Sequence, residues 1–297
     1  MEKFFYESTY LDRAAMQARI ISTSSALGWQ QTIEYILKKG ISFSELNVAE
    51  VGCGSGTFSL SLNLLGAKTT LIDFDQDALN TAKQVFSLYK READFIQADV
   101  SKAAPESLKN KFDLIISGGL AEHFVGEARE KCIAFHKDLL RAGGIAYIGV
   151  PNKLSPGYQI VKGFKTISGK WKVGVEKPFT YQELKKIGRS VGFKDVEVIG
   201  NYPLKKDLKD YSLGLISAIL DVLPSAVRDF TKRVRRQEKV KESTESKTIE
   251  FREEAIIRER VENVKRTLAA KKLKSLKDYL SAGIILFGFV ADDINNK

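Results

Sequence analysis

The sequence predicts an α/β protein, a mostly parallel sheet with helices on both faces, plus a helical insertion late in the chain. Three observations carry this. Residues 47–82 read as strand, glycine loop, helix, second strand and acid, the opening of a doubly wound sheet. Strand-like and helix-like patterns then alternate as far as Ile199, as successive βαβ units do. Residues 112–116, FDLII, are apolar enough for a strand buried on both faces, which is how central parallel strands read.

Bulk properties narrow the class. A chain of 297 residues, 43% hydrophobic and 28% charged, can bury the core of one large domain or two small ones. Its two cysteines, Cys53 and Cys132, show no pairing pattern and suggest a reducing compartment. The start, MEKFFYESTYLDRAAM, lacks the basic end and apolar core of a signal peptide. The longest apolar runs, residues 213–220 and 282–290, are far too short to span a bilayer. A soluble cytoplasmic protein is expected. The net charge is +10, yet residues 228–277 hold 17 Lys or Arg against 9 Asp or Glu. The excess therefore sits in one stretch, and the balanced remainder does not read as a nucleic-acid groove.

The elements follow in order. Residues 1–40 are helical with aromatic interruptions, and residues 26–37 hold a 3.6-residue apolar period that stops at Gly40. Residues 47–51 form the first strand. The loop Gly52-Cys53-Gly54-Ser55-Gly56 follows at once. Glycines two apart let the backbone turn tightly and approach a ligand, and the next helix presents free N–H groups to the loop. Cys53 reads as a small, permissive residue within it. Residues 68–72 form a second strand ending in Asp73, an acid placed to accept hydrogen bonds from both hydroxyls of a ribose. Dinucleotide folds favour G-x-G-x-x-G, whereas this loop is G-x-G-x-G with Glu50 two residues before it. A carboxylate repels a phosphate and attracts an ammonium. A loop for NAD or another nucleotide is the alternative.

Asp75 then caps a helix carrying Ala78, Leu79, Ala82, Val85, Phe86 and Tyr89. ADFIQADVS is a third strand with Asp99 at its end, though an Asp there is also a common turn residue. KFDLIISGGLAEHF is the fourth strand and its exit, opening at Ser117-Gly118-Gly119, and LLRAGGIAYIGVPN is the fifth. Residues 153–177 read as a loop of about 25 residues with dispersed glycines, a length usually functional or mobile. Thr180 to Glu183 form a capping box opening a helix that stops at Gly192, before a sixth strand at residues 193–199. Beyond lie an apolar helix candidate (residues 211–223), a solvated link (RRQEKVKESTESK), and a charged helix. That helix has the stripe Ile257, Val261, Val264 and Leu268, with Glu254/Arg258 and Glu262/Arg266 at supportive spacing.

The series Glu50-x-Gly52-x-Gly54-x-Gly56 then Asp73, with FDLIIS…EH and LLRAGGIAYIGVPN, resembles the class I S-adenosylmethionine-dependent methyltransferases. The likeness is to their small-molecule branch, which includes quinone-biosynthesis enzymes. It implies a Rossmann-like, seven-stranded, mostly parallel sheet with one antiparallel strand, best placed at residues 282–290. The chain then divides into an N-terminal helical lid (1–46), a cofactor-binding core (47–200), a basic helical insertion (201–280) and a final core strand (281–297). The resemblance assigns S-adenosylmethionine to Glu50, Gly52, Cys53, Gly54, Gly56 and Asp73. Phe74 would lie against the adenine face, Asp99 and the Val100 N–H at its edge, and Ser117 near the sulfonium. Tyr6 and Tyr10 either close over the cofactor or pack the first helix on the core. Arg141 to Gly144 replaces the usual Pro-Gly-Gly turn.

Methyl transfer from a sulfonium is an in-line displacement that requires positioning and exclusion of water. A base is needed only for a poorly ionised acceptor. His123, after the fourth strand, is the leading candidate, with Glu122 to orient it or the acceptor; the alternative is that His123 merely fixes the next helix. His136 reads as structural. No metal is expected, since neither HExxH nor paired cysteines occur. Two other functions stand beside small-molecule methylation. One is RNA or protein methylation with the basic insertion as a docking arm; the other is a non-catalytic cofactor-binding scaffold. The acceptor and the choice among O-, N- and C-methylation stay open, as does whether residues 211–223 roof a pocket, pack the insertion or form a dimer.

Overall fold

The structure, a computed structural model, describes residues 13–169, 171, 174–200, 252–267 and 283–291. Seven strands, β1 (Asn47–Val51), β2 (Lys68–Asp73), β3 (Asp94–Gln97), β4 (Phe112–Gly118), β5 (Leu140–Pro151), β6 (Glu197–Gly200) and β7 (Gly283–Phe289), form one sheet. Its order is β3-β2-β1-β4-β5-β7-β6. β1 to β5 pair in parallel. β7 runs antiparallel between β5 and β6, as expected for the late apolar segment.

Alternation along the strands splits the core in two. Val48, Leu71, Leu114, Tyr147 and Phe287 enter one layer, while Ala49, Ile72, Ile115, Ile148 and Leu286 enter the other; successive side chains of a strand point to opposite faces. The first layer is covered by helices α1 (Arg13–Ser25), α2 (Leu27–Lys38), α3 (Thr57–Asn63) and α4 (Gln76–Leu88). The second is covered by α5 (Glu127–Leu139) and α7 (Tyr181–Ser190), with α6 (Pro156–Ile167) between them in sequence. Asp75 caps α4, accepting from the Asp77 N–H at 3.0 Å.

α1 and α2 belong to the core layer. Met16, Ile20, Trp29 and Ile33 are wholly buried, and the Trp29 indole donates to Ser61 Oγ at 3.1 Å. Tyr6, Tyr10, residues 211–223 and Leu268 lie outside the described residues. α8 (Arg252–Thr267) packs its stripe, Ile257, Val261 and Val264, into the same layer. The Glu254–Arg258 pair forms, and Glu262 pairs with Lys265; the Arg266 side chain lies outside the described residues.

Several boundaries differ from expectation. Residues 153–177 are not one loop, since α6 occupies their first half. Ser155 caps it, accepting from the Tyr158 N–H at 3.3 Å, and Pro156 sits in the first turn, where a missing N–H costs nothing. Gly157 and Gly163 lie within the helix. β4 continues through Ser117 and Gly118, so the chain opens at Gly119, whose φ is +77°. Residues 141–144 sit inside the span of β5, where its register against β4 shifts and Gly143 takes φ +72°. The sixth strand is shorter than residues 193–199 suggested.

Candidate active site

Because β1 to β4 are parallel, their carboxyl ends share one edge. Glu50, the glycine loop, Asp73, Phe74, Asp99, Val100 and Ser117 all fall there, and Glu122 and His123 follow β4 on the same side. The loop is latched to β2, with the Gly52 and Cys53 N–H groups both donating to the Ile72 carbonyl, at 2.8 and 3.2 Å. Gly52, Gly54 and Gly56 take φ of +66°, +51° and +68°, the left-handed region that other residues enter only at a cost.

Gly56 is the N-cap of α3 and has no side chain with which to cap it. Glu50 does so instead, its Oε2 accepting from the Ser59 N–H at 2.8 Å. Burial pushes the Glu50 carboxyl up to about 7 against the pull of the Ser59 hydrogen bonds, and the charge of Asp73 adds to the rise. Asp73 is clamped by two amides, Gly54 N–H on Oδ2 and Asp75 N–H on Oδ1, each at 3.0 Å. Its own carboxyl is also raised, chiefly by burial. Two acids thus flank the loop, and the charges acting on them are negative.

The remaining edge is less committed. Phe74 is 47% exposed. Asp99 closes a turn on Ser101, accepting from its N–H at 2.9 Å and its hydroxyl at 2.6 Å, and these bonds hold its carboxyl below the ordinary value. The Val100 side chain is buried in the second layer. Ser117 is wholly buried with its hydroxyl unpartnered.

Beyond Gly119, Ala121–His123 form a single 3-10 turn. Glu122 is 2% exposed and its Oε2 has no hydrogen-bond partner. Burial pushes its carboxyl up to about 8, and the charge of Glu176 reinforces the shift while Arg129 and Lys162 oppose it. His123 is half-buried, its Nδ1 3.1 Å from the Val175 carbonyl. Glu122, His123 and Glu176 each bring a polar side-chain atom within 4.8 Å of the others. Sequence reasoning missed Glu176, together with Tyr158, Lys162 and Arg129 around it. Nothing in spacing announces the first three, because α6 read as loop. His136 is buried in α5, its Nδ1 2.6 Å from the Cys132 carbonyl, and burial lowers it to about 4. That is the structural part expected of it.

A mixed sheet of this order, with a glycine loop after β1 and an acid ending β2, is a Rossmann-like fold. Residues 48–144, from β1 into β5, match the family model described as Methyltransferase domain. The ubiquinone biosynthesis O-methyltransferase of Nitrosococcus oceani is 30% identical over 126 residues, 42% of this chain and 52% of that protein. Its counterpart from Colwellia psychrerythraea is 31% identical over 119 residues, 39% and 46% of the two chains. The chain thus spans about half the length of the curated relatives it matches. A Galdieria sulphuraria structure, provisionally assigned as a sarcosine dimethylglycine methyltransferase, superposes with a TM-score of 0.51 at 13% identity. It covers 97% of this chain and 92% of its own, a likeness of fold.

Proposed function

We propose that this chain transfers a methyl group from S-adenosylmethionine to a hydroxyl of a small-molecule acceptor. One observation carries the reading: Glu50 and Asp73 bracket the glycine loop, both raised by burial, and the charges that act on them are carboxylates. Such a cradle repels a pyrophosphate and favours an ammonium and a pair of ribose hydroxyls. The O-methyltransferase relatives support the acceptor class.

The cofactor supplies an electrophilic methyl on a sulfonium; the chain's residues hold and surround it. The Glu50 carboxylate attracts the amino-acid ammonium and the loop backbone from Gly52 through Cys53 to Gly56 gives close approach. Asp73, clamped by Gly54 and Asp75, accepts from the ribose. Phe74 covers the adenine face, Asp99 and the Val100 N–H meet its edge, and Ser117 lies toward the reacting end. His123 is the base for the acceptor, with Glu122 beside it. Among the described residues no helix is long and apolar enough to cross a membrane, and Cys53 and Cys132 are free thiols; we place the protein in the cytoplasm. The docking-arm reading loses ground because α8, within the basic stretch, buries its stripe on the core and pairs Glu254 with Arg91.

Calorimetric titration with S-adenosylmethionine, S-adenosylhomocysteine and NAD tests the reading. Binding of the first two and not of NAD is expected, with Asp73→Ala weakening both by about 1–3 kcal/mol through lost charge-assisted hydrogen bonds. Binding of NAD, or of none of the three, overturns it.

A further inference from the structure

Glu176 lies in the segment after α6, far in sequence from every site residue, yet it reaches the buried end of Glu122. Its side chain is 7% exposed. The Tyr158 hydroxyl donates to its Oε2, and Lys162 Nζ stands 3.9 Å from the same oxygen while donating to the Glu176 carbonyl at 2.8 Å. The groups around Glu122 come from four places. His123 is on its own turn, Arg129 and Cys132 are on α5, Tyr158 and Lys162 are on α6, and Glu176 follows it.

Charge balance decides what this cluster holds. Lys162 answers one carboxylate. Arg129 is committed elsewhere, in an ion pair with Glu183 and in donation to the Phe124 and Lys177 carbonyls. Burial holds the Cys132 thiol and the Tyr158 phenol in their neutral forms. Arg129 and Lys162 act on Glu122 only through space, and in this cluster it is the Glu122 Oε2 that is buried without a hydrogen-bond partner. Two carboxylates so close, one desolvated, are relieved by binding a single proton between them.

We propose that Glu122 and Glu176 act as a proton-sharing pair, and that this pair, with His123 beside it, receives the proton the acceptor hydroxyl loses on methylation. The inference rests on the methyl-transfer reading above. In the step, the acceptor oxygen bonds to the methyl carbon as the carbon–sulfur bond breaks, and sulfur keeps that electron pair. His123 takes the hydroxyl proton as base and passes it to the empty pair, which later returns it through half-buried His123 to solvent. The Glu122 carboxyl, pushed up to about 8 by burial, is well matched to a phenol-type hydroxyl, because proton transfer between groups of similar pKa meets little uphill cost. Glu176 is then a positioning residue that sets the proton affinity of Glu122.

Infrared titration of the ligand-free protein tests the pair without any turnover. A protonated-carboxyl band should disappear as pH rises through about 8. It should be missing in Glu122→Gln and should titrate about one unit lower in Glu176→Gln, where the like charge is gone. With caffeate as acceptor, kcat/KM should rise through the same pH, and its inflection should move down in Glu176→Gln while S-adenosylhomocysteine affinity holds. A merely structural Glu176 would lower the rate at every pH and leave the inflection in place. An unmoved band overturns the proposal, as does a rate abolished by chelator and restored by magnesium. Where caffeate is not turned over, the infrared result decides. If the band behaves as expected but S-adenosylhomocysteine does not bind, the methyl-transfer reading fails and takes the pair's catalytic role with it; if the cofactor binds and the band stays, only the pair fails.

Discussion

At Gly56 the backbone does two things that any side chain opposes. It turns left-handed, and it lies so close to β2 that an added Cβ would stand 2.3 Å from Leu71 Cδ2. Leu71 is wholly buried and has nowhere to move. Gly56→Ala should therefore cost about 2–4 kcal/mol, the strain of a positive φ added to overpacking. Denaturant unfolding checks this, and a loss below about 1 kcal/mol would mean that Leu71 has room. The glycine spacing announced the loop because positive φ is a property of the residue itself. The second duty of Glu50 was not announced. It becomes the cap of α3 only once strand, loop and helix fold back so that its carboxylate meets Ser59. An acid read as a ligand contact is also what ends the first turn of the helix cleanly.

Between elements, Arg129 does the joining on the second face. Its guanidinium lies 3.8 Å over the Phe179 ring and bonds Glu183 of α7, while its other N–H groups reach the Phe124 and Lys177 carbonyls. One buried side chain on α5 thus ties down α7, the turn after β4 and the segment that carries Glu176. Arg129→Ala should destabilise the fold by about 2–4 kcal/mol, since the buried stem and its ring contact are lost and two carbonyls lose their donor, while half-exposed Glu183 can turn to water. Arg129→Lys should recover little of it, because a single ammonium cannot reproduce the planar fork. Equal melting temperatures for wild type and Arg129→Ala would refute this. α7 was legible because its capping box is local, and Thr180 and Glu183 do bond each other's backbone as written. α6 was not, because its two glycines outweighed Ser155-Pro156 and the spacing of Ile160, Phe164 and Ile167, which are helical signals. Those apolar residues remain 48%, 37% and 84% exposed, so burial did not flag them either. The cluster around Glu122 was illegible in principle. It depends on where α6 and its sequel land on the turn after β4, a tertiary fact with no local signature.

At the scale of the whole molecule the sheet is completed from the far end of the chain. β6 pairs with β7, and β7 alone bridges it to β5. Close packing on both faces centres on β7. Gly28 of α2 lies where a Cβ would meet Ile285 at 2.1 Å, and Gly188 of α7 where one would meet Leu286 at 2.5 Å. Neither layer is therefore finished until residues 283–289 are in place, although the site-bearing edge of β1 to β4 is formed by residues far earlier. A chain ended after residue 282 would keep every residue assigned to the cofactor. It would also bare the edge of β5, strand β6, and the faces of two helices built to touch β7. Unpaired strand edges with apolar flanks associate. The shortened chain is therefore expected to aggregate, or to bind hydrophobic dye with a broadened unfolding transition, and to lose cofactor binding with its fold. A cooperative transition in the shortened chain, with undiminished affinity for S-adenosylhomocysteine, would show instead that the first five strands stand without their last partner.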